Sequence, residues 1–339
     1  MYGRERGCSN WLKYAGLWTR PPSSMSLFAI WVGWKLLRHG QKFALYTLGF
    51  INTRRIYDRP NDYGLKYHCL GLTTADEVHL GCFFAKYAAQ DASRIELHER
   101  AYKTDLGIPV PNFDVEPVVA NVIVFHGSTT SIDTQPYIDM ARKLIRRRCN
   151  VLLLSYRGFG TSSGTPSESG LQLDAQAALD YITNNPSLSA LPTFLYGFCL
   201  GGAVAIDLAA RNPTAISGVV VQNTFLSVPS LVRDWRYIGW LAKHLVTQRW
   251  DSATKVPSIP ATVPMLFLSG ANDELVSKKH MEGLWDIRKG ATPSELDRFE
   301  SFAGGTHLYT ELCPGFWDKI DSWINAVLPV SNTTRVTAL

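Results

Sequence analysis

One short stretch, Gly197-Phe-Cys-Leu-Gly-Gly202, constrains this chain more than any other. Residues 193–196 before it are apolar or β-branched, as in a buried strand, and residues 203–210 after it read as a helix. Strand must therefore pass into helix with almost no loop. Glycines two positions either side of Cys199 remove Cβ atoms where strand and helix crowd together, and they let a strained backbone turn the central side chain outward. Such a turn presents a nucleophile. The side chain presented is a thiol, and the free N–H groups at a helix start favour its anion. The alternative for Cys199 is a small buried hydrophobe beside a glycine-rich turn, since free cysteine is among the most buried residue types.

The rest of the chain supplies a sheet for that turn. Residues 65–72 and 78–87 alternate as an antiparallel pair, and a polar excursion with Pro109, Pro111 and Pro117 leads to a strand at 118–125. Short apolar runs follow at 150–155, 193–196, 218–222 and 265–268, and a last strand lies near 298–302. Helical periods occupy 136–148, 167–182, 203–211, 278–288 and 316–327. This β-α-β rhythm predicts an α/β fold, a mostly parallel, doubly wound, eight-stranded sheet with reactive loops at the carboxyl ends of its strands. Residues 225–263 form a small cap insertion, with Trp235, Tyr237, Trp240 and Leu241 in a helical stretch that suits packing and a pocket wall.

Three of those strand ends carry chemistry. His126-Gly127-Ser128 follows the strand at 118–125, and the N–H groups of Ser128 and Leu200 are the candidates for an oxyanion hole. His126 itself equally suits a packed histidine. The loop after 265–268 holds Asp273, expected to orient an imidazole because it lies next to the turn, with Glu274 in reserve; a solvated loop acid is the alternative for either. Gly304-Gly-Thr-His307 follows the last strand, and two glycines free that loop to reach the elbow. His307 suits a base better than His280, expected on a helix, or His244, which precedes the acid.

The order nucleophile, acid, histidine joins longer stretches: Phe125-His-Gly127, Leu154-Ser-Tyr-Arg-Gly-Phe-Gly-Thr-Ser-Ser-Gly-Thr-Pro-Ser-Glu-Ser-Gly170, Asp174-Ala-Gln-Ala-Ala-Leu-Asp-Tyr181, Gln222-Asn-Thr-Phe225, Trp250-Asp-Ser252, Leu268-Ser-Gly-Ala-Asn-Asp-Glu-Leu275 and Gly304-Gly-Thr-His307. Through them residues 63–328 resemble the Bem-type branch of the α/β-hydrolases, the bud-emergence family and its abhydrolase-domain relatives. The resemblance implies an α/β-hydrolase fold and a membrane-associated hydrolase with a triad of Cys199, Asp273 and His307. Two positions depart from it. The family elbow carries serine, whereas the cysteine here resembles dienelactone hydrolases, and Ser128-Thr129-Thr130 stands where the family has Asn and Gly.

Charge sets the N-terminus apart. Residues 1–60 hold 10 Lys/Arg and 2 Asp/Glu, a net of +8, which leaves −3 for the remainder of a chain of net +5. Four of the ten tryptophans (11, 18, 31 and 34) lie there, and neither apolar run, 27–37 or 43–51, reaches spanning length. Residues 1–62 are therefore expected to rest on an anionic membrane surface, as a basic, Trp-rich segment ahead of a hydrolase domain at 63–329 and a polar tail at 330–339. A helix packed on the core is the alternative. The six cysteines form no C-x-x-C pair and no zinc spacing, so no metal or cofactor is expected. A sequon at Asn332 carries little weight in a polar tail.

These readings converge on a hydrolase of ester, lactone or thioester bonds acting on a small-molecule or lipid-like acyl substrate. It would be membrane-associated on an endomembrane, without a nucleic-acid partner. Two alternatives stay open: an acyltransferase with the same triad, and a catalytically silent membrane scaffold.

Overall fold

The computed structural model describes residues 45–46, 65–87, 117–129, 131–234 and 246–328. These contain one open, eight-stranded sheet in the order β1-β2-β4-β3-β5-β6-β7-β8. β1 (His68–Thr73) and β2 (His79–Ala85) are antiparallel, and β2 lies antiparallel on β4 (Cys149–Leu154). β3 (Ala120–Phe125), β5 (Thr193–Phe198), β6 (Gly218–Gln222), β7 (Met265–Gly270) and β8 (Arg298–Phe302) continue the sheet in parallel. The expected doubly wound, mostly parallel sheet is thus the one that forms.

Its strands are apolar throughout because both faces are covered. Period two divides β3 between two cores: Ile123 and Phe125 face one, Ala120, Val122 and Val124 the other. Helices α2 (Glu168–Thr183), α3 (Leu200–Arg211) and α4 (Lys278–Ala291) close the first core. Helices α1 (Gln135–Arg146) and α5 (Phe316–Val327) close the second. β4 and β5 flank β3 on opposite sides, so the crevice at the carboxyl ends opens between β3 and β5, where Phe125 stands in register with Gly197.

The elbow is tighter than its sequence suggests. β5 runs through Phe198 and α3 starts at Leu200, so Cys199 alone makes the turn, at φ 53 and ψ −115. None of Gly197, Gly201 and Gly202 has a positive φ. The strain sits on the cysteine, and the glycines serve only to make room.

The first core also takes in Tyr46, from within the segment assigned to 1–62, at 0% exposure. Its hydroxyl accepts a hydrogen bond from Trp250 Nε1 at 3.0 Å. The other N-terminal residues, Thr130, the helical stretch expected around Trp235–Leu241, His244 and the tail lie outside the described residues. Among those described, no helix is long and apolar enough to cross a membrane.

Candidate active site

Three close contacts, two of them to backbone, explain why the elbow can be so sharp. A Cβ on Gly197 would stand 2.2 Å from the Gly201 carbonyl oxygen, one on Gly201 2.0 Å from that of Phe125, and one on Gly202 2.5 Å from Thr224 Cβ. β5, α3 and the end of β3 meet here at distances that only glycine allows. The Cys199 peptide is held at both ends, its N–H donating to Gln222 O at 3.0 Å and its carbonyl accepting from Thr224 Oγ1 at 2.7 Å. The side chain is partly exposed at the crevice.

His307 and Asp273 lie behind it. His307 Nδ1 is 2.8 Å from Asp273 Oδ2, with side chains 4% and 1% exposed. The second Asp273 oxygen accepts the N–H groups of Leu275 (2.9 Å) and Val276 (2.7 Å), which fixes the carboxylate as acceptor of a ring N–H. Glu274 does not compete for the ring; it accepts the backbone N–H of His307 at 3.2 Å. With Nδ1 taken, the remaining ring nitrogen is the one left for Cys199, whose sulfur favours the charged ring. Burial disfavours a charged ring, but the sulfur charge, the bonds to Asp273 and Cys199 and the carboxylate charge outweigh it, raising His307 to about 10. The ring ruffles against Phe198, at 5.0 Å between centroids.

Ser128 and Leu200 flank the same crevice at the ends of β3 and β5. Leu200 opens α3, whose first N–H groups have no intrahelical acceptor. Among the described residues, no hydrogen bond engages the N–H of Ser128 or Leu200. Gly127 is pressed against the elbow, since a Cβ there would meet the Phe198 ring at 3.0 Å and Cys199 Cβ at 3.6 Å.

His126 is a packed histidine. It is fully buried against Tyr137, Tyr156 and Phe159. Nδ1 donates to Gly127 O at 2.7 Å, Nε2 faces the Tyr156 N–H at 3.5 Å, and burial lowers the ring to about 4 despite the bond to Gly127. Its neutral ring stiffens the loop after β3, together with the bond from Gly127 N–H to Tyr137 Oη at 2.9 Å. Arg157 serves the neighbouring loop: its N–H and Nε donate to Asp174, both at 2.8 Å, and its guanidinium tips to Asp76 at 2.7 and 2.9 Å. The Tyr156-Arg157 and Asp174 motifs are thus buttresses. His280 lies on α4, buried and 3.2 Å from Asp234, with Nδ1 accepting the Leu226 N–H at 3.4 Å.

Sequence reasoning missed Asn223, which contacts the loop of His307, and it held Glu274 in reserve for the ring, whereas Glu274 holds the His307 backbone. The only sequence signal for Asn223 was its place in Gln222-Asn-Thr-Phe225. Among the described residues, no cluster of three His, Cys, Asp or Glu side chains is arranged to hold a metal ion.

Residues 120–263 match the family model of the alpha/beta hydrolase fold. The chain is 30% identical to the protein bem46 of Schizosaccharomyces pombe over 93% of each chain. It is 35% identical to an uncharacterized membrane protein of Saccharomyces cerevisiae, over 85% of this chain and 90% of that one. Among solved structures it resembles an esterase of Pyrococcus furiosus, with a TM-score of 0.61, 18% identity, and 80% and 96% of the two chains covered. An alpha-beta hydrolase of Vibrio vulnificus aligns at a TM-score of 0.58 and 18% identity, over 90% and 95%. These structural likenesses establish the fold. The long match to bem46, together with the eight-stranded sheet and its elbow, makes this chain a member of the Bem46-type family of α/β-hydrolase domain proteins.

Proposed function

We propose that the protein hydrolyses ester, lactone or thioester bonds through a covalent acyl-cysteine. The observation that carries the reading is the buried Asp273–His307 pair, whose ring is held charged by the sulfur of a partly exposed Cys199 on a strained elbow. The sulfur of Cys199 attacks the acyl carbon, and the resulting oxyanion is held by the N–H groups of Ser128 and Leu200. His307 gives its proton to the departing alcohol or thiol as the carbon–oxygen or carbon–sulfur bond breaks. It then takes a proton from water, which attacks the thioester, and Cys199 leaves as the acid is released. Asp273 orients the ring and stabilises its charged form. The esterase among its structural neighbours supports this chemistry class.

The mouth of the site supports an apolar, lipid-like acyl group. Leu275, Leu308, Tyr309 and Leu312, 42–67% exposed, all lie within five residues of Asp273 or His307. Membrane contact through residues 1–60, on an endomembrane, is part of the same reading. Its support is the +8 charge and the tryptophans of that segment, together with the membrane designation of the yeast relative. The deciding experiment is turnover of activated esters and thioesters of graded acyl length by the parent and by Cys199→Ala, beside their thermal midpoints. A folded Cys199→Ala protein that keeps its activity ends the reading.

A further inference from the structure

Residues 222–224, at the end of β6, touch the elements that carry Cys199, Asp273 and His307, although none of the three contributes a reacting group. Gln222 and Thr224 grip the two ends of the Cys199 peptide, through the 3.0 Å and 2.7 Å bonds described above. Between them, Asn223 reaches the other way. Its Oδ1 accepts the N–H of Gly270 at 2.8 Å, at the end of β7 and three residues before Asp273. Its Nδ2 faces His307 O at 3.0 Å, Thr306 O at 3.1 Å and Thr310 Oγ1 at 3.0 Å. Its own N–H donates to Leu268 O at 3.1 Å.

An amide is the side chain such a place requires. The acid loop offers an N–H and the histidine loop offers carbonyls, so one group must accept on one side and donate on the other. A carboxylate has no donor and an aliphatic side chain has neither. Asn223 also takes φ 48, a left-handed conformation that asparagine tolerates and β-branched residues do not. At 1% exposure, water cannot replace the bonds it makes. The acid and histidine loops have direct links to each other, Ala271 N–H to Phe302 O (3.0 Å) and Asn272 N–H to Gly305 O (2.9 Å). Asn223 adds the tie from both loops to the elbow.

We propose that Asn223 is a positioning residue that fixes the acid loop and the histidine loop against the nucleophile, keeping Asp273, His307 and Cys199 in line. The role rests on the triad reading above. Asn223→Gly keeps the left-handed backbone and removes every side-chain bond, whereas Asn223→Asp keeps the shape and sets oxygen against three oxygens, so two independent variants probe one role. Three readouts apply: kcat and KM on an activated ester, the pH dependence of Cys199 alkylation by iodoacetamide, and hydrogen exchange of residues 270–276 and 303–310. In either variant kcat should fall about 10- to 100-fold with KM held within about twofold, as expected when reacting groups drift by a fraction of an ångström. The pH dependence of Cys199 alkylation should change in both variants. Amides in both loops should exchange about tenfold faster while those of β3 keep their rates.

A residue that merely supports the fold would lower the thermal midpoint and leave the pH dependence of alkylation in place. A folded variant with unchanged alkylation profile and unchanged loop exchange overturns the proposal, whatever its midpoint. If the parent turns over no ester and Cys199 alkylates as a free thiol, the triad reading fails separately. Loop exchange then decides alone: faster exchange at 303–310 in the variants supports the tie, and equal exchange overturns it.

Discussion

Glu274 holds His307 by its backbone, accepting the main-chain N–H at 3.2 Å, while the neighbouring Asp273 holds the ring of the same residue at 2.8 Å. Two adjacent acids thus serve one histidine unequally. Asp273→Asn presents the ring with the wrong partner and should lower kcat roughly a hundredfold or more, though less than Cys199→Ala. Glu274→Gln keeps an acceptor oxygen and should cost no more than one ordinary hydrogen bond, about threefold or less in kcat. Steady-state kinetics of both variants beside their thermal midpoints test the assignment. An equal loss in the two would reverse it.

The pH profile follows from the ring. With Cys199 and Asp273 both favouring the charged imidazole over the opposing effect of burial, His307 keeps its proton until about pH 10. Activity should rise as acid protonation of the pair is relieved, hold through neutrality, and fall only near the alkaline end, giving a broad bell whose limbs belong to the pair. In Cys199→Ala the sulfur charge is gone, so the ring should release its proton at lower pH, a change visible in its imidazole NMR titration. An unshifted titration in that variant would mean that no ion pair forms.

Gly201 stands against the end of β3, with no space for even one methyl group beside the Phe125 carbonyl. The obstacle is backbone on both sides, so no side chain can swing away to relieve it. Gly201→Ala should destabilise the domain by about 3 kcal/mol or more, or force the elbow apart. Denaturant unfolding measures the loss. A variant of parental stability would mean that strand and helix separate more easily than this packing implies.

Tyr46 changes where the N-terminal segment can be cut. Its ring is fully buried and its hydroxyl takes the Trp250 indole N–H, so a deletion of residues 1–60 removes part of the core along with the basic residues. Tyr46→Ala should cost about 3–5 kcal/mol, the range for a buried aromatic. Deleting only residues 1–40 should leave the midpoint close to the parent's while abolishing flotation with anionic liposomes. Retained flotation would locate the membrane attraction elsewhere, and an unchanged midpoint after deletion to 60 would show Tyr46 to be dispensable.

The sequence by itself determined the sheet and the order of its functional loops. Apolar runs of strand length between helical periods have one compact solution, and in it the loops bearing Cys199, Asp273 and His307 are neighbours because they share one edge of the sheet. What it misread was local. The sequence places Gly201-Gly202 in the turn, ahead of a helix at 203–210, yet α3 runs through both, because the approach of Phe125 and Thr224 outweighs their poor helix propensity. The tertiary structure alone decided the partners across the chain: the ring to Asp273 and the backbone to Glu274, the neutral packing of His126, the reach of Asn223 to residues 306–310, and the burial of Tyr46. Periodicity reports which residues are buried; a hydrogen bond between residues dozens of positions apart depends on where two loops meet, and no one-dimensional pattern carries that distance.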